Sequence, residues 1–131
     1  RTYLGVMVAG LPNMFMITGP QSPGVKSQMI LSIEWHANWI ADCLAHMKAA
    51  GARRIDATEQ SQEEWVQHVK EVADKTLYPL ANSWYMGVNI PGKPQIFMPY
   101  VGGVQAYTKK CQEVVAKGYE GFVLTGERVE V

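Results

Sequence analysis

The chain contains no long apolar run. Nowhere do its residues approach the roughly 18 consecutive apolar positions that a membrane-spanning helix needs. It also lacks an excess of charge of either sign. Its 12 basic and 12 acidic side chains cancel, so there is no electrostatic footprint for nucleic acid or for an anionic membrane. Cysteine is scarce. Cys43 and Cys111 both fall in helix-like segments and neither has a metal-ligand spacing. Two buried thiols in a reducing cytoplasm are expected, not a secreted disulfide. The histidines His36, His46 and His68 pair with no cysteine or other histidine at ligand spacing. They read as surface or helix-edge residues, and no metal site is expected. A charged leader followed by an apolar core is missing and the first residue is Arg1, so the chain reads as opening inside a longer protein.

What is present is a globular composition, 47% hydrophobic and 18% charged, of the size of one domain. Residues 4–9 and 14–18 read as short buried strands around a turn at Gly10-Leu11-Pro12-Asn13. The pattern over 27–50 is helical. Met29, Ile33, Ala37, Ile40, Leu44 and Met47 form one apolar stripe, while Leu31, Trp35 and Trp39 form a second. Glu34, Asn38 and Asp42 leave a narrow polar edge, and Gly51 is placed to end the helix. A helix apolar on two sides calls for neighbours on two sides. A short strand is expected at 54–57. A second helix begins at a capping box, Ser61-Gln62-Glu63-Glu64, with Trp65, Val69, Val72 and Ala73 inside, and Leu77-Tyr78-Pro79 ends it. Residues 80–100 are irregular, with a turn at Pro91-Gly92. Gly102-Gly103 introduces a third helix that buries Val104, Tyr107, Cys111, Val114 and Val115 and stops at Gly118, and 122–125 is a last strand.

The stretch Gly19-Pro20-Gln21-Ser22-Pro23-Gly24-Val25-Lys26-Ser27 is one residue away from a phosphate-binding loop of the G-x-x-x-x-G-K-[ST] type. Such a loop aims successive backbone N–H groups at phosphate oxygens. Pro20 and Pro23 have no N–H to aim, so the nucleotide-triphosphatase reading is rejected. The helix that follows still presents free N–H groups and partial positive charge near Ser27, Gln28 and Met29. These would stabilise an anion, or Ser27 would simply cap them.

Several stretches, in order along the whole chain, resemble Baeyer–Villiger monooxygenases of the phenylacetone, steroid and cyclohexanone type. They are Arg1-Thr2-Tyr3-Leu4-Gly5, Ala9-Gly10-Leu11-Pro12-Asn13-Met14-Phe15 with Gly19-Pro20, and Ser32-Ile33-Glu34 with Trp39. They continue with Leu77-Tyr78-Pro79, Ser83-Trp84-Tyr85 with Asn89-Ile90-Pro91-Gly92-Lys93, and Lys117-Gly118-Tyr119-Glu120-Gly121-Phe122. The resemblance implies an α/β fold: the C-terminal fragment of a flavoprotein with two dinucleotide-binding domains, built of short strands and three main helices. Residues 1–50 would complete the FAD-binding domain. Residues 51–131 would form a C-terminal helical tail, with a loop at about 77–100 on the NADP side. The glycine-rich cofactor loops and the catalytic residues of such enzymes are absent from this sequence, so no catalytic residue is expected here and the fragment alone should be inactive.

The implied chemistry is insertion of one oxygen atom of O2 into a ketone, giving an ester or lactone, with FAD and NADPH as cofactors. Met29 matches a residue that contacts the flavin and borders the substrate pocket. Gly24, Val25 and Lys26 match a loop that bulges into that pocket. Lys26 departs from the apolar residue expected there, which points to a different loop arrangement or to a polar group on the substrate. Trp84 matches a tryptophan that reaches the NADP ribose, for which its donor-only indole N–H is suited. The implied partners are the ketone, O2 and the remainder of the parent enzyme, in the cytoplasm. Two other readings stand beside this one: a non-catalytic, helix-rich interaction module, and a piece of an N-oxidising flavin monooxygenase.

Overall fold

The structure is a computed structural model that describes residues 1–24, 28–80 (the side chain of Pro79 aside), 86, 91–92 and 96–126. Three helices and a two-stranded antiparallel sheet follow an N-terminal segment of tight turns. They are α1 (Met29–Ala49), β1 (Arg54–Ala57), α2 (Glu59–Asp74), a 3-10 turn (Tyr78–Leu80), α3 (Val104–Ala116) and β2 (Phe122–Thr125). The α/β character and the three helices agree with expectation.

Helix α1 runs without Gly or Pro and stops where the sequence indicates. Gly51, at φ +67°, takes the left-handed position. The Ala52 amide donates to Met47 O at 2.8 Å and the Gly51 amide to Lys48 O at 3.2 Å, a Schellman closure. Helix α3 ends the same way. Gly118 is at φ +71°, the Tyr119 amide donates to Val114 O and the Gly118 amide to Val115 O, both at 2.9 Å. Helix α2 starts earlier than the capping box suggests. Its N-cap is Thr58, whose Oγ1 accepts from the Ser61 amide at 3.1 Å. Ser61 is thus inside the first turn, and Gln62 is used elsewhere: its Oε1 accepts from the Ala9 amide at 2.9 Å. Strands β1 and β2 pair from Arg54↔Thr125 to Ala57↔Phe122, with Ile55 and Ala57 buried.

Residues 4–9 and 14–18 are not strands. Leu4 (φ +54°) and Gly5 (φ +70°) turn the chain back on itself, and the Val6 amide donates to Tyr3 O at 3.1 Å. A lone ladder-like bond, Met16 N to Val6 O at 2.8 Å, joins the two segments. A strand exists only when a neighbour accepts its ladder. Among the described residues no strand lies beside 14–18, where Met14 and Ile17 remain exposed. The free edge of β1 is met instead by Asn13. Its amide donates to Ile55 O at 2.9 Å and its Oδ1 accepts from the Ile55 amide at 3.0 Å.

One buried cluster joins both halves of the chain: Tyr3, Leu4 and Met7 from the turns, Trp39, Cys43 and Met47 from α1, and the inner faces of β1, α2 and α3. Which face of α1 joins it differs from the sequence reading. The buried row is Ser32, His36, Trp39, Cys43 and Met47. Most of the expected stripe faces outward, with Ile33 42% and Leu44 50% exposed and Ile30 beside them at 79%. Helix α3 buries Tyr107, Cys111 and Val114, while Val104 and Val115, expected inside, are exposed. No helix among the described residues is long and apolar enough to cross a membrane.

Candidate functional site

The loop 19–24 is held from three directions. Thr2 grips it from the N-terminal turn: its amide donates to Gln21 Oε1 at 2.8 Å and its hydroxyl to Pro20 O at 2.9 Å. From the far end of the chain, the Gln21 amide donates to Met98 O at 2.7 Å and the Tyr100 amide to Ser22 O at 2.9 Å. From α2, Trp65 Nε1 donates to Gln21 O at 3.3 Å. Thr2, Gln21 and Ser22 are all buried. Two glycines make the close approach sterically feasible. A Cβ on Gly5 would sit 2.6 Å from Ser22 Cβ, and one on Gly24 would sit 2.8 Å from Pro99 Cβ. The Gln21 amide is thus committed to Met98 O and the Ser22 amide to Gly19 O, while Pro20 and Pro23 have none to offer, which agrees with the rejection of a phosphate loop.

Gly24 is therefore half-buried against Pro99. Val25, Lys26 and Ser27 lie outside the described residues, as does Trp84. Met29 opens α1 and is 41% exposed. The N-cap is Gln28, with no side-chain hydrogen bond to the first turn. The amides of that first turn carry partial positive charge that Gln28 does not cap. Met29 leads directly into the uncovered apolar row of Ile30, Ile33 and Leu44.

His36 was expected near the surface and is fully buried. Its Nε2 lies 2.7 Å from Tyr107 Oη, and its Nδ1 accepts from the Thr18 amide at 3.3 Å. Tyr107 in turn donates to Leu4 O at 2.6 Å. Burial lowers the His36 pKa below the ordinary histidine value, with a backbone hydrogen bond at Ser32 acting in the opposite sense. Burial raises the Tyr107 phenol far above its usual range. A cleft of about 520 Å³ opens between α1 and α3, walled by Leu31, Trp35, Val104 and Thr108, and reaches both His36 and Tyr107. No local spacing could have announced this pair, because its partners lie 18 and 71 positions away.

Both cysteines are free and buried, as the sequence suggested. Burial pushes the Cys43 thiol up to about 11 and the Cys111 thiol up to about 12. No group of three or more metal-ligating side chains occurs among the described residues.

No protein-family profile matches the chain. Individual proteins do. An acetone monooxygenase (methyl acetate-forming) from Gordonia sp. (strain TY-5) is 40% identical over 95% of this chain and 24% of its own length. A Baeyer–Villiger monooxygenase from Pseudooceanicola batsensis is 38% identical over 97% of this chain and 23% of its own. The crystal structure of cyclohexanone monooxygenase from Rhodococcus sp. Phi1 bound to NADP+ superimposes with a TM-score of 0.88 at 37% identity, over 96% of this chain and 23% of that one. The chain spans about a quarter of the length of the proteins it matches. Matched along nearly all its residues in sequence and in fold, the chain is a homologue of one segment of the Baeyer–Villiger monooxygenases.

Proposed function

We propose that this chain is part of an FAD- and NADPH-dependent Baeyer–Villiger monooxygenase. The reaction takes a ketone, O2, NADPH and a proton to an ester or lactone, NADP+ and water. The observation that carries the reading is the likeness over 95–97% of the chain to enzymes named for ketone oxidation. The uncovered apolar row on α1 supports it, since that surface asks for a larger body around it. The division into 1–50, completing an FAD domain, and 51–131, a tail, belongs to the same proposal, as does a cytoplasmic location. Buried free thiols are in keeping with a reducing compartment.

The residues present fit a flavin at the leading end of α1. The Gln28 side chain makes no capping hydrogen bond to the first turn, and the partial positive charge of that helix end would favour an electron-rich ring edge. When bound, the flavin supplies activation of dioxygen and NADPH supplies the electrons. This chain's part is to hold and to shape. Met29 offers a polarisable side chain to the ring and to the ketone. Gly24 keeps the loop wall low beside Pro99. The resemblance assigns Val25 and Lys26 to the same pocket, where a lysine implies either a different loop arrangement or a polar group on the substrate. The resemblance assigns Trp84 to the NADP ribose, a hydroxyl of which its donor-only indole N–H would suit. This segment supplies none of the reacting groups.

The test is made on the full-length parent loaded with FAD. Ketone-stimulated NADPH oxidation should yield an ester or lactone. Met29→Gly should change the ratio of turnover on two ketones with FAD retained. Trp84→Ala should weaken NADPH use more than FAD retention. An N-oxide from an aromatic N-heterocycle, with no ester from any ketone, would overturn the assignment.

A further inference from the structure

We propose that His36 is a positioning residue, which fixes Thr18, at the head of the loop 19–24, through a file of hydrogen bonds from Thr18 to Leu4 and releases the Thr18 amide when its ring takes up a second proton. What the loop borders rests on the function proposed above; the file itself does not.

Proton counting sets the roles. Tyr107 has one O–H, and Leu4 O accepts it at 2.6 Å. Tyr107 Oη can then only accept, so His36 Nε2, 2.7 Å away, carries the hydrogen. In a neutral ring Nδ1 is left as a lone pair, and it meets the Thr18 amide at 3.3 Å. The file is complete only while the ring is neutral. A charged ring is a donor at both nitrogens, and its Nδ1–H would confront the Thr18 N–H. Burial favours the neutral ring, and a backbone hydrogen bond at Ser32, one turn back on α1, opposes it more weakly.

Thr18 is the last residue before the clamped loop 19–24, which leads to Gly24 and Met29. Around His36 stand Ser32 and Trp35 from α1, Tyr107 and then Cys111 from α3, and the backbone of Leu4 and Thr18. Trp65 from α2 and Tyr100 pack at a tilt behind Tyr107, with His68 against Trp65. Glu34 is the one charged side chain on the cleft among the described residues, and it is exposed. No described charge is buried against the ring, so bulk pH governs the release of the Thr18 amide, with proton access along the cleft.

The experiment uses the full-length parent with FAD bound, as wild type, His36→Leu and His36→Gln. Tyr107→Phe opens the file by a second route should His36→Leu fail to fold. Amide protection of the peptide holding Thr18 is measured by mass spectrometry, corrected for intrinsic exchange, alongside the turnover ratio for two ketones. At about pH 7.5, losing one buried hydrogen bond should cut protection roughly three- to tenfold in His36→Leu and Tyr107→Phe and shift the ketone ratio. Wild type should lose the same protection only as pH falls through the folded pKa of His36, which burial sets below the ordinary histidine value. Glutamine presents an acceptor and a donor from one planar amide and does not titrate, so His36→Gln should keep protection across that range. Unchanged protection in both opened variants, or an acid loss that persists in His36→Gln, overturns the file. Lost protection with an unmoved ketone ratio overturns the positioning role. Wild type that protects Thr18 but oxidises no ketone upholds the file and defeats the enzymatic reading instead.

Discussion

Burial lowers the pKa of His36, and it does the same for His68, where the positive charge of Lys110 adds to burial. An unfolded histidine titrates near 6.5. Below that value the unfolded chain binds protons that the folded chain refuses, so folding loses stability as pH drops. The contribution of these two residues is therefore complete above about pH 6.5 and is lost as pH falls through their folded values. The urea midpoint of the chain should decrease between about pH 7.5 and 5.5, a window above ordinary carboxylate titration. His36→Gln should flatten the decrease, and a midpoint that rises on acidification would contradict the assignment. The thiols give an independent readout. With Cys43 up to about 11 and Cys111 up to about 12, neither supplies thiolate at about pH 8. Alkylation by iodoacetamide should therefore proceed only as fast as the chain unfolds, and rapid labelling of the native protein would show that the α1–α3 core is open.

At the scale of elements, the helix ends test the fold most directly. Thr58→Ala removes the cap of α2 and should cost about 1 kcal/mol in chemical denaturation, with Ser61→Ala costing less. Gly51→Ala and Gly118→Ala place a side chain at φ +67° and +71° and should each cost about 1 kcal/mol. Equal effects of Thr58→Ala and Ser61→Ala would restore the later helix start. Those two glycines were legible in the sequence because a Schellman ending is a local event, and so were the three helices and the pair 54–57 and 122–125. The start of α2 was missed because Thr58-Glu59-Gln60-Ser61 has no acid at its fourth place, whereas Ser61-Gln62-Glu63-Glu64 does. Nothing in Leu4 or Thr18 announces a positive φ, which few non-glycine residues adopt. That is why apolar runs at 4–9 and 14–18 passed for strands. The inner face of α1 was illegible for another reason. Its buried row includes Ser32, His36 and Cys43, its outer row is mostly aliphatic, and only the neighbours decide which row turns inward. Of the proposed site, Gly24 and Met29 rest on the resemblance alone. His36 was not legible, because its partners come from both ends of the chain.

For the molecule as a whole, the relevant quantity is uncovered apolar surface. Ile30, Ile33 and Leu44 on α1 are joined by Leu11, Met14 and Ile17 from the N-terminal segment and by Leu77 and Leu80. Such surface binds hydrophobic dyes and drives association. The chain studied alone should do both, and Ile33→Asp with Leu44→Asp should reduce dye fluorescence and the sedimenting mass together. In the full-length parent the same changes should destabilise by about 2 kcal/mol or more, because each carboxylate would then be sealed against apolar neighbours. A parent indifferent to both changes would mean that this row faces water there too.

Helix α1, with one row seated and the other bare, therefore answers to two selective regimes at once. A mutational library screened for soluble expression of these 131 residues would reward charge at Ile33 and Leu44. A library of the whole protein screened for turnover would purge it. A tolerance map drawn from either would carry the wrong sign for the other along that row, and would agree with it at Trp39, Cys43 and Met47.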